Sequence, residues 1–156
     1  MPTVTVDELK AMTGQTIGVS DWILVDQARI DLFAEATGDR QFIHVDPILA
    51  RKTPFGGTVA HGFLTLSLIP VLAQMTDLPT LANVEIGVNY GGNKCRFITP
   101  VRSGKRVRGH FRLIEISEKN PGLFQQTMEH TIEIEGEAKP ALVAEWIIQF
   151  IVRHQL

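Results

Sequence analysis

Hydrophobic residues in the first half of the chain recur at the three- and four-residue spacing that is typical of helices. Asp26 can cap a helix over residues 27–36, and Gly38 can end it. Asp46 followed by Pro47 predicts the start of a second, short helix, because a capping side chain precedes a proline at the first helical position. The first half of the chain is therefore expected to be mainly helical.

A third helix is predicted from His61 to Met75, and it is the most apolar segment of this half. Its hydrophobic side chains point in nearly every direction around the helix axis, which is typical of a helix buried on all sides. Pro70 has no N–H to donate to the preceding turn. We therefore expect a kink or a loosened joint in the middle of this helix.

The second half changes to the two-residue period of strands. Small or apolar side chains alternate with basic ones in residues 106–113, and with acidic ones in residues 127–135. The two strands are predicted to pair antiparallel across the turn at residues 120–122. Opposite charges would then face each other, at about 0.2–1 kcal/mol per pair. The predicted partners are Arg106, Arg108 and Arg112 on one strand and Glu129, Glu133 and Glu135 on the other. We interpret the basic run as this pairing in preference to an anion-binding site.

Three further apolar segments complete the predicted sheet. Residues 142–152 read as a central strand covered on both faces, and residues 84–90 and 95–98 as two shorter strands. No composition break or repeat divides the chain, so one domain over residues 1–156 is expected. The predicted fold class is α+β, with a long antiparallel sheet wrapped around one buried helix. Because such a sheet leaves edges and apolar surface uncovered, we expect a homodimer.

The composition narrows the class of protein. A chain of 156 residues with 44% hydrophobic residues can bury a sizeable core. A net charge of −2 gives no argument for a nucleic-acid partner, so small molecules or further copies of the chain are the expected partners. The single Cys95 excludes an internal disulfide and a multi-cysteine metal site. With no signal-like start and no apolar run of about 18 residues, no membrane contact is expected and the cytoplasm is the predicted location.

One short stretch contains residues that could act as acids, bases or metal ligands, because residues 38–47 include Asp39, His44 and Asp46. Turn chemistry alone explains Gly-Asp after a helix and Asp-Pro before another. Alternatively, an acid and an imidazole are aimed at one reacting atom. His44, Asp46 and His61 are also a legitimate set of metal ligands. Their spacing matches no helical His pair, however, and no neighbouring Cys or Glu completes the set, so no metal is expected.

Two signatures in order, G-D-x4-H-x-D at residues 38–46 and A-H-G at residues 60–62, resemble the MaoC-type dehydratases, or (R)-specific enoyl-CoA hydratases. Residues 89–97 are similar to the branch of that family named after nodulation protein N. The likeness covers almost the whole chain. It implies a hotdog fold, a homodimer, and a hydratase for 2-enoyl thioesters of coenzyme A that forms the (R)-3-hydroxyacyl product without a metal or redox cofactor.

The resemblance also implies roles for individual residues. Asp39 and His44 would together bind and activate the water, and the backbone N–H of Gly62 would hold the charge on the thioester oxygen. The reaction needs these groups, because water addition requires a base, a proton for C2 and a donor for the oxyanion. Further residues are expected to bind substrate or to line its channel: His61, Phe63, Tyr90, Gly91 and Asn93.

Structural interpretations compete with these roles. Asp39 can be a turn residue, Asp46 a helix cap, and His61 a residue that orients the start of the buried helix. The family usually has Asn-Pro where this chain has Gln41-Phe42, so no acyl-chain preference is carried over. Two other functions fit the same fold: a thioesterase, in which water attacks the carbonyl carbon, and a non-catalytic protein that binds acyl thioesters.

Overall fold

The computed structural model describes residues 2–153, so the first residue and the last three residues of the predicted 1–156 domain lie outside the described residues. Strands and short helices alternate at the start, and four long strands follow. In chain order the elements are β1 Thr3–Val4, α1 Val6–Ala11, β2 Thr16–Val19, β3 Ile23–Val25, α2 Gln27–Thr37, α3 Phe42–Val45, α4 Pro47–Ala50, α5 Gly62–Ser67, α6 Ile69–Gln74, β4 Thr80–Leu81, β5 Val84–Phe97, β6 Lys105–Asn120, β7 Leu123–Ile134 and β8 Leu142–Val152.

The main sheet is antiparallel and runs in the order β2-β6-β7-β8-β5, with β3 also paired to β6. The predicted β6–β7 pairing and its charge pattern are confirmed. Arg108 lies opposite Glu133 with its Nε 2.6 Å from the carboxylate, and Arg112 lies opposite Glu129 at 3.3 Å. Arg106 and Glu135 form a third ion pair. The basic run is therefore one side of a cross-strand charge ladder.

The predicted helix caps are confirmed. Asp26 accepts a hydrogen bond from the Arg29 N–H at 3.0 Å, and Gly38 ends α2 with a left-handed φ of +78°. Asp46 accepts from the N–H groups of the first turn of α4, at 3.0 Å each. Asp46 is thus a structural cap, and its carboxylate is committed to that helix.

The central helix is interrupted, as Pro70 predicts, between α5 and α6. Its predicted burial on all sides is wrong for the single chain. Leu64, Leu68, Ile69 and Leu72 are buried against the sheet, but Phe63 is 67% exposed and Met75 is 42% exposed. The sheet covers only one side of this helix, so its opposite side remains open.

Strand β5 differs from its prediction. Residues 84–90 and 95–98 were expected as separate strands, whereas one strand runs from Val84 to Phe97, paired with β8 along its length. The register shifts on either side of Gly91 and Gly92, so the glycines bend the strand without ending it. β8 lies inside the sheet as predicted, but its second face is only half-buried, with Ile151 43% exposed. The short N-terminal strands β1 to β3 were not predicted.

The core lies between the concave face of the sheet and the inner side of α5 and α6. Its fully buried side chains include Leu72, Phe111, Leu113, Ile132 and Leu142. Within residues 2–153, no helix is long and apolar enough to cross a membrane. The cytoplasmic location expected from the sequence stays a prediction.

Candidate active site

Asp39, His44 and His61 converge at the start of α5. One ring nitrogen of each histidine and one carboxylate oxygen of Asp39 all lie within 4.8 Å of one another. Asp39 is exposed, whereas His44 and His61 are buried. Groups at this separation can contact the same small molecule. The stretch after α2 is therefore both a turn and a cluster of acid–base groups.

His44 lies in the single-turn helix α3, and a backbone carbonyl holds its ring. Its Nδ1 is 2.6 Å from the Val59 carbonyl oxygen. Since a carbonyl can only accept, we assign the proton to Nδ1, which leaves the lone pair on Nε2. Burial, and to a smaller extent the neighbouring His61, lower the pKa of His44, although the Val59 hydrogen bond and Asp39 act in the opposite direction. The ring is therefore neutral at neutral pH, and its Nε2 can act as a base.

His61 immediately precedes α5 and links the two predicted catalytic residues. Its Nε2 is 2.9 Å from the Asp39 carbonyl oxygen, and its ring stacks on that of His44 with centroids 3.8 Å apart. Phe33 packs against its ring at 4.9 Å. The buried Nδ1 finds no hydrogen-bond partner among residues 2–153. These contacts join His61 to the Asp39 loop and to the His44 ring. Its side chain makes no capping hydrogen bond to α5, so the expected role of orienting the start of that helix stays a prediction.

Asp39 is held in a turn by its own loop. One carboxylate oxygen accepts a hydrogen bond from the Gln41 N–H at 3.3 Å, and the Asp39 N–H donates to the Thr37 hydroxyl at 3.4 Å. The carboxylate stays exposed, so a second acceptor site is open on it. The turn interpretation and the catalytic interpretation of Asp39 are compatible.

A cavity of about 260 Å³ adjoins this cluster, and both His44 and Gly62 line it. The rest of its lining is mainly apolar and consists of Ile43, Phe55, Val59, Ala60, Thr65, residues 97–101 and Ala141. A Cβ atom at Gly62 would lie 2.9 Å from the Phe97 ring, so only glycine fits without displacing that ring. Phe63 points outward and meets Phe97 edge-on at 5.7 Å. The predicted residues His44 and Gly62 therefore share one cavity.

The predicted channel residues on β5 lie elsewhere in the single chain. Gly91 and Asn93 line a second cavity of about 490 Å³ between β5, β8 and the α5–α6 junction, and this cavity does not include His44. Tyr90 is 62% exposed on the edge strand. Trp146, also in this wall, donates its Nε1 proton to the Asn89 side chain at 2.5 Å. One chain does not bring Tyr90, Gly91 or Asn93 to the His44 cavity, so their substrate-binding role stays a prediction.

The metal site with Asp46 as a ligand does not form, because Asp46 caps α4 and Asp39 lies beside the two histidines in its place.

Two residues that hold the site could not be identified from the sequence. Val59, whose carbonyl fixes the His44 ring, and Gln27, whose side chain binds the His44 carbonyl at 2.7 Å, belong to no motif. The only available signal was the capped helix start beside Gln27.

The profile of the MaoC like domain matches residues 8–136. This chain belongs to the MaoC-like dehydratase family. It is 46% identical over 147 residues to 3-hydroxyacyl-thioester dehydratase Z of Mycobacterium tuberculosis, covering 94% of this chain and 96% of that protein. It is 47% identical over 153 residues to nodulation protein N of Rhizobium leguminosarum bv. viciae, covering 96% of this chain and 94% of that protein.

The fold of this MaoC-like protein also matches solved structures. The (R)-hydratase from A. caviae involved in PHA biosynthesis superposes with a TM-score of 0.69 at 23% identity, over 87% of this chain and 94% of that one. The family resemblance and the hotdog fold expected from the sequence are therefore confirmed. The roles of the individual site residues stay predictions.

Proposed function

We propose that this protein is an (R)-specific 2-enoyl-CoA hydratase, equivalently a 3-hydroxyacyl-CoA dehydratase. The observation that carries the proposal is the neutral His44: a ring nitrogen lies within 4.8 Å of an Asp39 carboxylate oxygen, Nδ1 is bonded to the Val59 carbonyl, and the residue lines the same cavity as Gly62. The names of the dehydratase and (R)-hydratase relatives support the same reaction class.

Hydration needs one water held against the double bond. Asp39 and His44 bind this water, and His44 Nε2 accepts a proton as the water oxygen bonds to C3. The electrons of the double bond move toward the thioester oxygen, and C2 then takes a proton from the Asp39–His44 pair. One water adds and the pair regains its starting protonation, so the same groups serve dehydration in reverse. Such positioned acid–base groups contribute about 10²–10⁴ in rate.

Gly62 provides the donor for the thioester oxygen. As the first residue of α5, its N–H has no acceptor in a preceding turn. Because α5 is only six residues long, the proposal rests on this N–H and not on a large helix dipole. The absence of a Cβ, which Phe97 also requires, lets a carbonyl approach the backbone closely.

We propose that the reaction needs neither a metal nor a redox cofactor. Hydration changes no oxidation state overall, and the base, the water-binding carboxylate and the oxyanion donor are all supplied by the chain. EDTA treatment followed by dialysis should leave turnover unchanged, and restoration of lost activity by a divalent cation would contradict this part of the proposal.

We further propose a homodimer formed through β5. This strand is at the edge of the sheet, and it exposes Ile86, Val88 and Tyr90 by 53%, 49% and 62%. Among residues 2–153 no strand pairs with the outer edge of β5, and an apolar edge of this length is a template for strand pairing. The open side of α5, including Phe63, is also uncovered in the single chain. A second copy that pairs along β5 would cover such surface.

Crotonyl-CoA tests the reaction directly. We expect loss of the enoyl absorbance without release of free thiol. Release of thiol would indicate a thioesterase, and no change in either signal would indicate a non-catalytic binder. Coupling to an (S)-specific 3-hydroxyacyl-CoA dehydrogenase should give no NADH, because the product is expected to be (R).

Substitutions test the residues. Asp39→Asn and His44→Gln should each lower turnover by about 10²-fold or more, and the double variant should be scarcely slower because the two act as a unit. Asp46→Asn is the matched control, since that carboxylate caps α4 and touches neither histidine. If Asp39→Asn keeps more than about a tenth of wild-type turnover while its melting temperature falls, the turn interpretation replaces the catalytic one.

A further inference from the structure

Gln27, the first residue of α2, binds two segments of the site, one that carries His44 and one that carries Thr58. Its Nε2 donates to the His44 carbonyl oxygen at 2.7 Å, and its Oε1 accepts from the Thr58 hydroxyl at 2.5 Å. Thr58 is buried and Gln27 is half-buried. The side-chain amide of Gln27 therefore joins the segment that carries His44 to the segment that carries Thr58.

These two segments together hold the His44 ring. The Val59 N–H donates to the Ile43 carbonyl at 3.0 Å, and the Val59 carbonyl accepts from His44 Nδ1 at 2.6 Å. Thr58, which Gln27 binds, directly precedes Val59. Gln27 adds a further link, between the His44 backbone carbonyl and the Thr58 hydroxyl. Thr58 and Ala60 are also bonded to Ser103 and Val101, so loss of the Gln27 link leaves that segment in place and frees the His44 backbone to move relative to the Val59 carbonyl.

We propose that Gln27 is a positioning residue for water addition, acting through Thr58 and Val59 to keep the proton of His44 on Nδ1 and its Nε2 aimed at the reacting water. Its expected effect on kcat rests on the proposed function, whereas its effect on the His44 ring does not. The amide is the group that this role requires, because it donates to one carbonyl and accepts from one hydroxyl at the same time. A carboxylate in its place could accept from Thr58, but it would repel the His44 carbonyl oxygen.

A second contact of Gln27 permits a control. The same Nε2 also donates to the Asp31 carboxylate at 2.8 Å, on the exposed side of α2. Asp31→Ala removes this contact alone and leaves the links to His44 and Thr58. If Gln27 served only to stabilise the start of α2, Asp31→Ala and Gln27→Met would have similar effects.

The experiment compares Gln27→Glu, Gln27→Met, Thr58→Ser, Thr58→Val and Asp31→Ala, with kcat and KM for crotonyl-CoA measured separately. Both Gln27 variants and Thr58→Val should lower kcat by about 10- to 100-fold with little change in KM, since a small misplacement of a catalytic group is enough for such a loss. Thr58→Ser keeps the hydroxyl and should retain near-normal kcat, as should Asp31→Ala. A rise in KM with unchanged kcat would overturn the proposal, as would equal losses in Thr58→Ser and Thr58→Val.

Histidine-selective ¹⁵N NMR gives a readout that does not depend on turnover. The wild type should show His44 as the neutral Nδ1–H tautomer, and Gln27→Met and Gln27→Glu should show a mixture of tautomers. If the tautomer shifts but wild type hydrates nothing, the positioning role stands and the proposed function fails. If His44 keeps one tautomer in folded Gln27 variants, the positioning role is refuted whatever the activity. Should the Gln27 variants fail to fold, the Thr58→Ser and Thr58→Val pair decides by the same two measurements.

Discussion

His130 lies on β7 in the core, and its burial predicts a loss of stability in acid. The residue is 0% exposed, its ring lies 5.2 Å from that of Phe111 and 5.4 Å from that of Trp146, and neither ring nitrogen has a hydrogen-bond partner within residues 2–153. Burial lowers the pKa of His130 from 6.5 to about 4. The folded protein therefore excludes a proton that the unfolded chain binds readily.

The sign and size of the effect follow from this difference. Above about pH 6.5 His130 is neutral in both states and contributes no pH dependence. As the pH falls from 6.5 to about 4, the unfolded chain gains a proton at this position while the folded protein does not. The free energy of unfolding then decreases, by about 3 kcal/mol over the whole interval. This is a large part of the roughly 5–15 kcal/mol that stabilises a typical domain.

Urea unfolding of wild type and His130→Leu at several pH values tests this, with the protein concentration held constant. The free energies of unfolding of the two proteins should differ little near pH 7, because the neutral ring has no hydrogen bond to lose. Between pH 7 and about pH 4.5, the free energy of unfolding of His130→Leu should fall by about 2–3 kcal/mol less than that of wild type. His110→Gln is the comparison, because it also removes a histidine from the sheet, but one that contacts Glu133 at 2.7 Å instead of lying in the apolar core, so it should not reduce the loss of stability in acid. Parallel curves for wild type and His130→Leu would refute the reasoning.

Because burial lowers the pKa of His44 below its ordinary 6.5, kcat/KM should stay level as the pH falls through 6.5 and decline only at lower pH, and a decline centred above 6.5 would contradict the assignment of His44 as the base. Gly62→Ala places a Cβ 2.9 Å from the Phe97 ring. It should lower kcat by about 10²-fold, as expected for a disturbed oxyanion donor, and turnover within about twofold of wild type would remove Gly62 from the mechanism. Val88→Lys on the exposed edge should shift the protein toward monomer in sedimentation velocity, and an unchanged dimer would place the interface elsewhere.

Structural features that depend on residues close together in the chain could be predicted from the sequence. The caps at Asp26 and Asp46 and the stop at Gly38 use hydrogen bonds that span a few residues, and residue type alone signals them. The charge ladder could be predicted because two strands that share a turn have a limited choice of register. The strands β2 and β3 could not, because four and three residues are too few to show a period.

Features set by distant contacts were missed or misread. The pair Gly91-Gly92 is typical of a turn, yet β5 continues through it with a shift in register on either side, because it stays paired with β8. The apolar residues of α5 and α6 indicate burial, but they do not say whether the same chain or another copy covers them. In the site, Asp39, His44 and Gly62 follow from motif spacing, whereas Val59 and Gln27 act through hydrogen bonds that leave no pattern in the chain.

The groups assigned to the chemistry, from Asp39 to Gly62, lie in one continuous segment, whereas much of the cavity wall comes from residues 97–101 and 141. The residues of this part of the wall can therefore be substituted without replacing any of the reactive groups. A change at Ile98 or Ala141 reshapes the cavity without touching the base, the carboxylate or the oxyanion donor. The choice of acyl group and the bond-making step of the proposed hydratase are therefore separable, since the first can be altered from residues 97–101 and 141 while Asp39, His44 and Gly62 are kept.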